Sequence, residues 1–401
     1  MSGSLFISVL LALLIGPINR PHIIIDSPEM KTVIFFIGSL QAGGTEAKLA
    51  RNFLPLLKDR GKVNPKLILL QERGEFLDIL PEEIEKVCLN ETTRTGLFGI
   101  IPKFRDALQK LKPDIVVPCM WYPAIIAYMT KKLRLFDFKY VVHDTTTMTE
   151  YIKYEFGNVR YKRLVKYLIE KAYEDAGSII VVSKGEKDDL IHNFGISDGL
   201  IRVVYNPIDL AGLRRMAEDD VDLSFDKPTI VSVGRLIHSK GFDILIKAFR
   251  KVLESCDCRL LILGAGEERE RLFSISKTLN LKEDVVFWGF THNPFKYMKR
   301  CQVFCTATRY EGLGNAIIEA MAVGLPVIAT DCRSGPAETL AGGKYGILVP
   351  PEDPDALAEA LIRVLSYQEL RETLSKLSLR RAQDFDLEAS LSRWEEIILE
   401  I

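Results

Sequence analysis

Residues 303–330 read Val303-Phe-Cys-Thr-Ala-Thr-Arg-Tyr-Glu-Gly-Leu-Gly-Asn-Ala-Ile-Ile-Glu-Ala-Met-Ala-Val-Gly-Leu-Pro-Val-Ile-Ala-Thr330. A β-branched run at 303–308 leads into a turn through Gly312 and Gly314, a helical run that opens near Asn315, and a second apolar run at 326–330. Strand, glycine turn, helix and strand in that order make one βαβ unit, whose strands lie parallel in a single sheet. Helices cover both faces of such a sheet, so its strands read as continuous apolar runs rather than alternating ones.

The same rhythm extends in both directions. Runs at 33–40, 67–70, 115–120, 140–144, 179–183 and 201–205 form a first series; runs at 229–234, 260–264, 285–290, 303–308, 326–330 and 346–349 form a second. The expected fold is therefore α/β, with two doubly wound, Rossmann-like parallel-sheet domains facing one another across a cleft. Charge-rich residues 211–227, framed by Pro207 and Pro228, mark the boundary. The expected division is an extension at 1–29, Rossmann-like domains at 30–210 and 211–385, and a packing helix at 386–401 that can reach back to the first domain. Ligands of such sheets bind beyond the carboxyl ends of the strands.

The composition excludes disorder: 47% of the 401 residues are hydrophobic, and 53 Lys and Arg face 54 Asp and Glu. A wholesale nucleic-acid binder is excluded by the same balance. The first 205 residues carry a net charge of about +4 and the remainder about −5, so only the first half suits an anionic surface. Seven scattered cysteines, with no Cys-x-x-Cys pair and no matching His spacing, point to a reduced, cytoplasmic chain without a zinc site. The apolar run at 5–15 stops at Gly16-Pro17. As a helix it spans about 17 Å of a hydrocarbon core about 30 Å thick, too little to cross a bilayer alone. Residues 1–29 thus read as an upstream extension without a role before a start at Met30, as a shallow membrane anchor, or as a signal sequence lacking the usual preceding cation.

Gly312-Leu313-Gly314 lets the backbone approach a ligand, and the uncapped N–H groups at the following helix start make an anion site favoured by the helix dipole. Asn315 and Glu319 share one helix face, and Glu311 lies just before the turn, so two carboxylates bracket a phosphate cradle. Carboxylates accept from hydroxyl groups, which points to a sugar and a ribose. In Gly234-Arg235-Leu-Ile-His-Ser-Lys240-Gly241, after the first strand of the second domain, Arg235 and Lys240 bring to the same sheet edge the charge a departing diphosphate needs. Gly43-Gly44-Thr45 makes a similar turn after run 33–40. His143-Asp144 ends run 140–144, where an imidazole can donate to a sugar hydroxyl.

Glu311 and Glu319 with seven residues between them, the Gly234-Arg235 to Lys240 loop and the Gly43-Gly44 turn together resemble the family-four retaining glycosyltransferases of the GT-B fold, from about Met30 to the carboxyl terminus. The resemblance implies a nucleotide-diphosphate sugar, UDP-linked, as donor. Glu319 would bind its ribose, Glu311 the transferred sugar, and Gly234, Arg235 and Lys240 the diphosphate. Gly314 and Asn315 would offer backbone N–H groups beside Gly312 and Leu313, with Phe290 next to the nucleobase. Glu311, Arg235, Lys240 and His143 would carry catalysis, and Gly43 and Gly44 would approach the acceptor. No cofactor and no metal is expected. Retention implies departure of the diphosphate and attack by the acceptor on one face of the sugar.

Segments 293–298 and 334–338 resemble those of bacterial enzymes that extend lipid-linked oligosaccharides, which implies a polyprenyl-diphosphate saccharide acceptor at the cytoplasmic membrane face. Arg160, Lys162, Arg163, Lys166 and Lys171, with Lys131, Lys132 and Arg134, suit either an anionic membrane surface or a solvated face. The expected activity is transfer of a hexose or N-acetylhexosamine to a saccharide. The alternatives are a catalytically silent nucleotide-sugar-binding scaffold and a nucleotide-sugar epimerase. Asp220-Val-Asp222 has the spacing of a metal-binding pair but follows no strand. Gly264-Ala-Gly266 has Arg269 where a dinucleotide turn needs its third glycine.

Overall fold

Strand β1 (Lys31–Ile37) buries both of its faces, Ile34 and Phe36 in one apolar layer and Val33, Phe35 and Ile37 in the other. That two-sided burial belongs to a central parallel strand. A computed structural model describes residues 30–41, 44–91, 96–156 and 159–401. In it β1 lies within a parallel sheet with β2 (Val63–Leu69), β3 (Lys86–Cys88), β4 (Ile115–Pro118), β5 (Lys139–Asp144), β6 (Ser178–Val181) and β7 (Ile201–Val203). The seven strands run in the order β3-β2-β1-β4-β5-β6-β7.

The second sheet repeats the plan. Strands β8 (Thr229–Val233), β9 (Arg259–Leu263), β10 (Val285–Gly289), β11 (Val303–Thr306), β12 (Val327–Thr330) and β13 (Ile347–Val349) form a parallel six-stranded sheet ordered β10-β9-β8-β11-β12-β13. Each sheet thus reverses its winding beside its first strand, between β1 and β4 and between β8 and β11. Such switch points open a crevice at the strands' carboxyl ends. The two α/β domains agree with the expectation from sequence; β3, a three-residue edge strand, is an addition to it.

The helices that accompany these sheets include α1 (Gly44–Lys48), α2 (Trp121–Lys132), α3 (Val159–Glu174), α4 (Asn315–Ala322) and α5 (Leu387–Glu400). Helix α1 runs into a π-helical turn, Leu49–Phe53, a local widening that often accompanies functional sites. Residues 211–227 are more ordered than a charge-rich connector suggests. A helix, Leu210–Met216, buries Leu213 there, and Arg214 donates to the Ala322 carbonyl of the second domain at 3.0 Å.

Helix α5 places Leu391, Trp394, Ile397 and Ile398 in the same apolar layer as Val33, Phe35 and Phe53 of the first domain. The Trp394 ring stands 5.0 Å from Phe53 and 6.2 Å from Phe35. Buried Glu395 accepts from Arg60 at 2.8 Å and from Lys62 at 2.9 Å. The carboxyl terminus therefore straps the second domain to the back of the first. Among the described residues no helix is long and apolar enough to cross a membrane. The run at 5–15 lies outside them.

Candidate active site

The loops that leave β1, β4, β8 and β11 at the two switch points line one cleft of about 1000 Å³. Helix α4 begins there. Its cap, Gly314, has φ +84° and no side chain satisfies the first-turn N–H groups, so they face the cleft as an anion site. Gly312 has a separate necessity: a Cβ on it would lie 2.2 Å from the Thr145 carbonyl oxygen and 2.3 Å from Glu186 Oε1, both of the first domain. The glutamate turn thus docks against the opposite lobe, and Thr147 Oγ1 donates to the Glu311 carbonyl at 3.0 Å to hold it there.

Lys240 ends a short 3-10 turn, His238–Lys240, after β8, and its Nζ lies 2.5 Å from Glu311 Oε2. The turn is pressed onto the strand end: a Cβ on Gly241, at φ +63°, would meet the Ala307 carbonyl at 1.9 Å. Arg235 is exposed and lines the same cleft. Gly264 and Gly266 pack backbone to backbone on the Gly234 to Leu236 loop, which accounts for those glycines without a dinucleotide. The Asp220-Val-Asp222 pair is also accounted for, since Asp222 accepts from the Tyr297 hydroxyl at 2.7 Å.

Glu319, one turn into α4, faces the first domain. Its Oε1 lies 3.2 Å from Lys48 Nζ at the end of α1. Burial lowers the Lys48 pKa and the Glu319 carboxylate opposes that shift. Arg51 follows on the π-helical turn, lines the cleft and donates to the His292 carbonyl at 2.8 Å; burial lowers its pKa as well, against the pull of Glu319. Asn315 accepts from Asn206 at 2.9 Å, and a Cβ on Gly44 would come within 2.9 Å of the Asn315 amide nitrogen. Gly43 lies outside the described residues.

The cleft brings together Gly44, Gly234, Arg235, Lys240, Phe290, Glu311, Leu313, Gly314, Asn315 and Glu319. Phe290 sits in an aromatic corner, 5.6 Å from Phe76 of the first domain and 4.9 Å from His292. Gly312, packed against Thr145 and Glu186, and His143 are not in the lining. The His143 ring is buried 4.9 Å from Trp394, beside a separate small cavity behind Lys48 and Asn206. Burial drives its pKa down to about 3, so the imidazole is neutral. The expected donation from His143 to a sugar hydroxyl is therefore corrected: a strand end fixes where a residue emerges, but α5 packs over this one.

Arg51 and Tyr310 are cleft residues the sequence does not mark, and Lys48, outside the lining, reaches the cleft through Glu319. Tyr310 joins the lobes by donating to Glu155 at 2.9 Å and stacking on Tyr154 at 5.5 Å. Arg235, Lys240, Glu311, Glu319 and a helix start around one cleft can bind an anionic ester with hydroxyl-bearing rings on either side.

Comparison with known proteins agrees. Residues 217–380 match the family model "Glycosyl transferases group 1", and residues 57–211 match "Glycosyltransferase Family 4". The chain is similar in fold to sucrose-phosphate synthase from Thermosynechococcus elongatus, with TM-score 0.75 at 22% identity over 92% of this chain and 99% of that one. It is similar also to Anabaena HepE solved with UDP, with TM-score 0.73 at 19% identity over 92% and 100%. The N-acetylgalactosamine-N,N'-diacetylbacillosaminyl-diphospho-undecaprenol 4-alpha-N-acetylgalactosaminyltransferase of Campylobacter jejuni is 32% identical over 369 residues, 89% of this chain and 96% of that protein. Identity sustained over nearly the whole of both chains, across two facing parallel-sheet domains, places this chain in the family-four glycosyltransferases of the GT-B fold.

Proposed function

We propose that this glycosyltransferase moves a hexose or N-acetylhexosamine from a UDP-linked sugar to a lipid-linked saccharide, with retention of anomeric configuration. The observation that carries the reading is the convergence of Arg235, Lys240, Glu311, Glu319 and the uncapped start of α4 on one cleft. Anionic oxygens suit the cations and the helix start; hydroxyl groups suit the two carboxylates. The Campylobacter relative acts on a diphospho-undecaprenol saccharide, and HepE, of like fold, was solved with UDP, which supports the choice of acceptor and donor.

In the reaction, the bond between the sugar C1 and the diphosphate oxygen breaks while a bond from C1 to the acceptor hydroxyl oxygen forms on the same face. The acceptor proton passes to the departing diphosphate. Arg235 and Lys240 stabilise the charge that grows on that diphosphate, and the cleft holds donor and acceptor within reach.

The test is a panel of nucleotide sugars offered to the full-length protein with an undecaprenyl-diphosphate saccharide. One UDP released per sugar transferred, with the donor's anomeric configuration kept in the product by NMR, is the expected result. Interconversion of donor epimers without acceptor would instead identify an epimerase, and silence across all donors a binding scaffold.

A further inference from the structure

We propose that α3, with the end of α2, forms a face that docks on an anionic lipid surface, an inference that rests on the lipid-linked acceptor proposed above. Helix α3 buries Val165, Ile169, Ala172 and Tyr173 in the core of the first domain. Its outer flank carries Tyr161, Leu164 and Tyr167, which are 61%, 53% and 54% exposed and spaced three residues apart along successive turns. Helix α2 packs alongside, and Leu133 and Leu135 beyond its end are 52% and 36% exposed. Large apolar side chains scattered singly on a surface are ordinary; a row of them is not.

Charge identifies what the row meets. The acids along α3 and directly after it are already taken, Asp175 by Lys131 at 3.1 Å, Glu170 by Lys166 at 3.5 Å and Glu174 by Lys171 at 2.7 Å, which leaves exposed Asp137 beyond α2 as a lone acid against several cations. Lys132, Arg134 and Arg163 have no carboxylate partner among the described residues, and Lys162 reaches only the Lys153 carbonyl. Apolar tips set among uncompensated cations match the headgroup boundary of an anionic bilayer. A second copy of the chain would bury the same apolar tips but bring like charges together.

The face is continuous with the cleft. Trp121, which opens α2, lines the cleft and packs 5.4 Å from Phe156, just ahead of α3. A bilayer lying along α3 thus holds the lipid tail of an acceptor while its saccharide extends past Trp121 toward the reacting centre.

The experiment is co-sedimentation of the full-length protein with vesicles of phosphatidylcholine and phosphatidylglycerol, and with phosphatidylcholine alone. Each cation near an anionic surface is expected to raise partitioning about fivefold. Lys132→Gln, Arg134→Gln and Arg163→Gln combined should therefore lower binding to the anionic vesicles about a hundredfold. Tyr161→Ser, Leu164→Ser and Tyr167→Ser combined should remove the salt-resistant part of binding. In both variants turnover on a short-chain, water-soluble acceptor stays at the wild-type value, while turnover on the vesicle-borne acceptor falls with binding. Vesicle binding unchanged in both variants overturns the proposal by placing the membrane contact elsewhere in the chain. A wild-type dimer that Leu164→Ser dissociates in analytical ultracentrifugation overturns it by making the face a self-interface. Failure of transfer to every acceptor, soluble or lipid-borne, would strike the proposed reaction and leave the vesicle measurement to stand by itself.

Discussion

Lys48 Nζ lies 3.2 Å from Glu319 Oε1, so the first helix of one domain holds the carboxylate that stands above the anion site of the other. Both side chains are largely buried, 10% and 18% exposed, and neither domain alone would enclose them. Lys48 compensates Glu319 before any ligand arrives, which fixes the carboxylate's aim at the cleft. A hydrogen bond to a charged group contributes about 1.5–3 kcal/mol, so Lys48→Met is expected to weaken UDP binding about tenfold to a hundredfold. Isothermal titration calorimetry reads this directly. Equal affinity in the variant would detach the pair from donor binding.

Lys240 is in a different situation, because its partner Glu311, 2.5 Å away, belongs to the same domain and to the turn that leads into α4. On the proposed reaction, a diphosphate entering beside α4 would draw Lys240 toward itself, with the largest gain when negative charge peaks on the leaving group. Lys240→Ala and Arg235→Ala are therefore expected to lower kcat about a hundredfold to a thousandfold while changing the donor KM much less. Steady-state kinetics with the preferred donor separates the two constants. A raised KM at wild-type kcat would assign these cations to ground-state binding instead.

Legibility in the sequence follows the range of the interactions involved. The unit at 303–330 can be read because strand, glycine turn and helix are local, and the residues that emerge at strand ends, Lys240, Glu311 and Asn315, inherit their place from topology. Strand β3 leaves almost no trace, since three residues at a sheet edge cannot show a pattern. Lys48 and Arg51 cannot be picked out, because their partners stand 271 and 241 positions further along the chain. His143 shows the converse failure: it obeys the strand-end rule, yet a tryptophan from the last helix closes over it.

The glycines of the cleft divide by what surrounds them, and the division can be measured. A Cβ on Gly312 would overlap Thr145 and Glu186 at 2.2 and 2.3 Å, so Gly312→Ala must part the lobes or displace the turn. Such overpacking costs about 1–3 kcal/mol. A Cβ on Gly234 would meet nothing closer than Lys240 Cδ at 3.8 Å, ordinary contact at an ordinary φ. Gly312→Ala is thus expected to lower both the denaturation midpoint and UDP affinity, with Gly234→Ala close to wild type in stability. Thermal melts with and without UDP distinguish them, and similar losses in both variants would mean that the lobes do not meet at Gly312.

The strap formed by α5 sets an acid limit on stability. Burial alone would raise the pKa of Glu395, but Arg60 and Lys62 hold it below the usual carboxylate range. A carboxylate whose folded pKa is depressed binds fewer protons than in the unfolded chain, so its stabilisation is present above the unfolded pKa and is lost as pH falls through the folded one. Glu395→Gln removes the buried charge, so Lys62 loses its carboxylate and Arg60 keeps only Glu388, at a cost of about 1–3 kcal/mol near neutral pH. The gap between wild type and variant in urea denaturation should then narrow as the pH is lowered through the carboxylate range. A gap that stays constant from neutral to acid pH would show that the strap is held by Trp394 and its apolar neighbours alone.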